Sequence, residues 1–92
     1  MALILKADGT RKKVQPINGN DFELEELQSF VGGIIDIINL NNGKILVIND
    51  EGKLCGLQPN LNATIVAWMQ EVIPQNDYIA GDVLLCNDEE VL

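Results

Sequence analysis

The chain has 92 residues, 14 acidic and 6 basic side chains, a formal net charge of −8 and no histidine. This is the length of one domain, and an apolar fraction of 47% is enough to give it a core. The charge opposes binding to nucleic acid or anionic membranes. The missing histidine removes the commonest general base, the commonest zinc ligand and the usual switch near neutral pH.

Ser29 is the single serine, so a Ser-His-Asp triad is impossible. Cys55 and Cys86 are far apart and form no CxxC, which suits a reducing, cytoplasmic setting and leaves a disulfide between them open. The apolar run at residues 1–5 is too short for a secretory signal, and nothing approaches a membrane span.

In chain order, residues 2–7 read as a strand and Asp8-Gly9 as a hairpin turn. Residues 11–17 return as a second strand, with Pro16 favouring an edge. Arg11, Lys12 and Lys13 there protect an edge from unwanted pairing or form a basic contact patch. Asn20 with Glu23 resembles a capping box, and Leu24, Leu27, Phe30 and Val31 fall at helical spacing before the Gly32-Gly33 stop. Asp21, Glu23, Glu25 and Glu26 crowd the start of that helix and oppose its dipole.

Residues 34–40 are apolar on both faces apart from Asp36 and Asn39, so a central strand is expected. Asn42-Gly43 predicts a two-residue hairpin leading into a partner strand at residues 44–48. Asn60 is a good N-cap for a second helix, whose core face is expected to carry Leu61, Ile65, Trp68, Met69 and Val72. Ala63 and Ala67 keep part of that helix slim, and Pro74 marks its end. The last strand lies around Val83–Cys86, and residues 88–92 read as a flexible acidic tail. The order β-β-α-β-β-α-β gives a single α+β domain over residues 1–92, with a mostly antiparallel sheet and two helices packed on one face.

The segment from residue 49 to residue 64 carries the functional expectation. Backbone N–H groups at a helix start attract phosphate or carboxylate. Lys53 adds charge, Asn49, Asn60, Asn62 and Thr64 add hydrogen bonds, and Gly52 and Gly56 permit close approach of a ligand. Arg11 is an additional basic candidate. The same residues also read as a turn, a cap and a first helical turn. No Walker-type or GxGxxG loop and no calcium-loop pattern is present. Neither a cofactor nor a metal site is expected.

Residues 31–36, the run Val47-Ile48-Asn49-Asp50-Glu51-Gly52-Lys53-Leu54 through Asn60 with Ala63-Thr64, and Ile79-Ala80-Gly81-Asp82-Val83-Leu84 together resemble domain of unknown function 3846. Gln58-Pro59 is a small departure from that pattern. The resemblance covers nearly the whole chain. It implies short proteins of bacteriophages, plasmids and other mobile elements, and no enzyme activity.

By analogy with other small phage proteins, the leading expectation is a non-enzymatic homo-oligomer that sequesters a small anionic, nucleotide-type defence signal. Its site residues are Lys53, Asn60, Asn62, Thr64, Asn49 and Arg11. The alternative is an acidic DNA mimic or another protein-binding inhibitor of a host defence protein.

Overall fold

The computed structural model describes residues 2–91. Strands β1 (Ala2–Leu5) and β2 (Arg11–Val14) precede helix α1 (Leu24–Val31). Strands β3 (Ile35–Asn39) and β4 (Lys44–Asn49), helix α2 (Leu61–Met69) and strand β5 (Val83–Asn87) follow, in the expected element order. The strands form one antiparallel sheet in the order β2-β1-β5-β4-β3.

Successive strand residues point to opposite faces of a sheet, and two buried clusters divide along that alternation. Ile4, Ile45, Val47, Leu84 and Cys86 pack with Phe22, Leu27 and Val31 of the α1 side. Leu5, Leu46 and Val83 pack with Ala63 and Ala67 of α2 and with Ile79. The two helices therefore cover opposite faces, which corrects the expectation that both pack on one. The run Ile45-Leu46-Val47 is apolar on both sides, so each face needs its own cover.

Strand β3 is also displaced from its expected place, lying at the sheet edge while β5 takes the centre. The Asp50 N–H donates to the Ile34 carbonyl and the Leu40 N–H to the Lys44 carbonyl. Even-numbered residues thus bond to β4, and residues 35, 37 and 39 turn their backbone groups outward. The Asp36 carboxylate accepts the outward N–H of Ile37 at 2.9 Å. A charge and a self-bonded amide blunt this edge. At the opposite edge, β2 presents Arg11, Lys12 and Lys13, in keeping with edge protection.

Local signals held with small shifts. After β3, Leu40 still pairs with Lys44, and the turn inside that pair is three residues, Asn41-Asn42-Gly43, with Gly43 at φ 79°. A three-residue turn ending in a left-handed glycine replaces the expected two-residue one. The capping box forms at Glu23 and Glu26, where the Glu26 carboxylate accepts the Glu23 N–H at 2.7 Å. It does not form at Asn20, because Asn18 Oδ1 already turns the chain there by accepting from the Asn20 and Asp21 N–H groups. Gly32 stops α1 in the left-handed conformation, as expected.

The acidic end is ordered through Val91. Asp88–Glu90 form a 3-10 turn, the Phe22 N–H donates to the Glu90 carbonyl at 2.7 Å, and Val91 bridges Phe22 in parallel. This corrects the expected tail, whose last residue, Leu92, lies outside the described residues. The cause is a long-range anchor: Phe22 is buried in the α1 cluster and Val91 packs against it.

Candidate functional site

The residues expected to bind an anion are mostly committed to the fold. Asn60 is fully buried; its Oδ1 accepts from Ala63 N–H, and its Nδ2 donates to the carbonyls of Leu5 at 2.7 Å and Gly81 at 2.8 Å. Thr64 is buried too; its hydroxyl donates to the Asn60 carbonyl and accepts from Ile79 N–H. Asn49 donates to the Val31 carbonyl and accepts from Glu51 N–H. Gly52 leaves no room for a ligand, because a Cβ there would lie 2.8 Å from the Ala80 carbonyl oxygen.

Lys53 sits apart from the start of α2. It pairs with Asp77 and lies over the Tyr78 ring, 4.9 Å from its centroid. The hydrogen bond from Lys53, followed by the one from Tyr78 N–H, holds the Asp77 carboxyl below the usual aspartate range. Arg11 and Asn62 do come together, beside the first turn of α2, in a groove of about 220 Å³ that Leu3, Leu5, Ile65, Val66 and Leu85 complete. The six expected residues therefore do not line one groove together, and Arg11 and Asn62 share the one beside α2.

The two thiols differ sharply. Cys55 is exposed, whereas Cys86 is buried and its thiol is pushed up to about 12, first by burial and then by the Glu90 charge. Both are free. Among the described residues no group of three or more His, Cys, Asp or Glu side chains stands in metal-binding array, and no buried side-chain polar atom lacks a partner. No helix among them is long and apolar enough to cross a membrane.

A different concavity has the character of a site. A groove of about 290 Å³ runs between the start of α1 and the free edge of β3, lined by Phe22, Glu23, Leu24, Leu27, Ile35, Ile37 and Val91. Leu24 shares a helix face with Leu27 and Val31, yet it overhangs the sheet edge and stays 56% exposed. Ile37 is 39% exposed on the strand below. Glu23 is the acid that lines the groove; Asp21 and Glu25 adjoin it in sequence, and the acidic turn Asp88–Glu90 precedes Val91, which lines the groove as well. Beside the groove, β3 offers the outward backbone groups of Ile35 and Asn39 and the carbonyl of Ile37.

Reading the sequence missed this groove because Leu24 and Ile37 carry ordinary core signals. The one hint was Asp36, a charge within an apolar strand. Chemically, the groove combines an apolar floor with the Glu23 carboxylate and adjoins a strand edge with outward backbone groups, the features that peptide-binding grooves use.

No curated protein and no solved structure matches the chain. A family model does match, over residues 1–91, and the chain belongs to the family that it describes, Domain of unknown function (DUF3846).

Proposed function

We propose that the chain is a non-catalytic protein-binding protein of a phage or mobile element. Its acid-rimmed groove between α1 and β3 takes a basic, apolar-anchored segment of a host protein, and occupying that segment inhibits the host protein. The observation that carries this reading is the presence of exposed Leu24 and Ile37 with the carboxylate of Glu23 in the lining of one concavity. Apolar anchors seated in a pocket supply most of the affinity at such surfaces, while rim charges steer the encounter and select the partner. The net charge of −8 favours a basic target at long range.

A panel of short peptides with Lys and Arg around a Leu or Ile pair tests the reading by fluorescence anisotropy, against acidic counterparts. Basic members are expected to bind with dissociation constants in the range of about 1–100 μM. Leu24→Glu should weaken them by about tenfold or more, and Glu23→Lys should flatten the salt dependence. Failure of every basic peptide to bind, or binding indifferent to both substitutions, rejects the groove.

One observation favours a second reading, a small anion held by Arg11 and Asn62 in the groove beside α2. Calorimetry with cyclic nucleotides, on the native protein and on Arg11→Glu, tests it. Heat that Arg11→Glu abolishes supports the anion site, and no heat with any nucleotide removes it.

A further inference from the structure

The orientation of α2 is inverted relative to its composition. Its buried stripe is Asn60, Ala63, Thr64 and Ala67, at positions i, i+3, i+4 and i+7. Internal hydrogen bonds from Asn60 to the Leu5 and Gly81 carbonyls and from the Ile79 N–H to the Thr64 hydroxyl fix that rotation. The large apolar residues consequently lie off the buried stripe: Leu61 is 66% exposed and Met69 77%, whereas Trp68 is 37% exposed and Ile65, at 39%, lines the groove with Leu3, Leu5 and Leu85. Leu61, Ile65 and Met69 form an i, i+4, i+8 ridge. Trp68 is tethered at its edge, its Nε1 donating to the carbonyls of Asp77 and Pro74 at 3.0 and 3.2 Å.

We propose that this outer face of α2 is the interface of a two-fold symmetric dimer with a second copy of the chain. Three features select that occupant. First, residues 54–70 carry no charged side chain, although 22% of the chain is charged. Two copies at −8 each repel least where they meet on this segment, whose nearest charges are the mutually paired Lys53 and Asp77 beside Tyr78 and the cation Arg11 beside Ile65.

Second, the exposed parts of the four helix residues, with Tyr78 beyond Asp77, amount to on the order of 500 Å² of apolar surface. This is at the upper end for a monomer, and doubled across a two-fold axis with a polar rim it reaches the lower range of stable interfaces. Third, the i, i+4, i+8 ridge is self-complementary: two such ridges interdigitate with the helices crossing at about −50°. The dimer leaves both α1–β3 grooves open on the outer faces, so this inference stands whether or not the proposed peptide binding does.

Sedimentation velocity from about 1 to about 200 μM protein tests it, with Trp68 emission as a second readout. The native chain is expected to shift from monomer to dimer in the micromolar range, with blue-shifted Trp68 emission in the dimer. Leu61→Glu with Met69→Glu should remain monomeric throughout and keep the native circular dichroism, because both side chains are exposed. The milder Met69→Lys should weaken the dimer by about tenfold or more should the double variant not fold. Leu24→Glu, on the opposite face, should leave it unchanged. A native chain that stays monomeric at the highest concentration overturns the proposal, as does a dimer that survives the α2 substitutions or that Leu24→Glu dissolves.

Discussion

Asn60 makes three hydrogen bonds inside the protein, one to the first turn of its own helix and two to carbonyls 55 and 21 residues away in the chain. The first of these was legible in the sequence, because an asparagine ahead of an apolar helical run is a cap. The other two were not, because no local pattern encodes a bond between Asn60 and Leu5. The consequence is energetic. Asn60→Ala removes a cap worth about 1 kcal/mol and strands two buried carbonyls, so a loss of about 3–4 kcal/mol is expected in urea denaturation. Asn62→Ala, whose contact with the Gly9 carbonyl is long at 3.4 Å, should cost less than about 0.5 kcal/mol. A ligand residue at Asn60 predicts the reverse, a stable variant that has lost binding. Gly52 follows the same logic: its lack of a side chain serves the Ala80 carbonyl behind it.

At the scale of elements, α2 and β3 show where sequence patterns mislead. The extent of α2 was readable from its cap and its apolar run, but its rotation was not. The helix is apolar nearly all round, and periodicity cannot rank a stripe of Ala and Thr below one of Leu, Ile and Trp. Buried polar anchors decided the matter instead. Two substitutions separate the faces. Ala67→Leu should overpack the sheet contact and cost about 2–3 kcal/mol, whereas Met69→Gln in dilute solution should cost no more than about 0.5 kcal/mol. Thermal denaturation of both variants reads the contrast directly, and the opposite ranking would mean that α2 packs through its large side chains. For β3, an apolar run read as central because edge strands are usually more polar; here the self-bonded Asp36 supplies the edge protection with one residue. Order, hairpins and the Gly32 stop were legible because each is decided within a few residues.

The whole molecule is a thin sheet with one helix on each face, and two apolar surfaces remain uncovered on opposite sides. The ordering of the acidic end against Phe22 joins residues from the two halves of the chain, which is why the groove it closes could not be read in advance. The α1-side core also carries a pH signature. Burial raises the Cys86 thiol from 9.0 to about 12, so the protonated form is favoured by folding. Its contribution is complete below pH 9 and is lost as pH rises from there toward 12. A Cys86→Ala variant should therefore lose less stability than the native chain between those values, by on the order of 2 kcal/mol at pH 10.5. Guanidinium unfolding across that range measures it. An identical alkaline slope in both proteins would place the Cys86 thiol in a solvated environment.

The central claim is that the concavity between α1 and β3 receives a basic, apolar segment. Methyl-resolved NMR during titration with the tightest basic peptide tests it most directly, because leucine, isoleucine and valine methyls line both uncovered surfaces. The account predicts shifts concentrated at Leu24, Leu27, Ile35, Ile37 and Val91, with Leu61 and Ile65 unmoved. Shifts centred on Leu61 and Ile65, or none at saturating peptide, would contradict it.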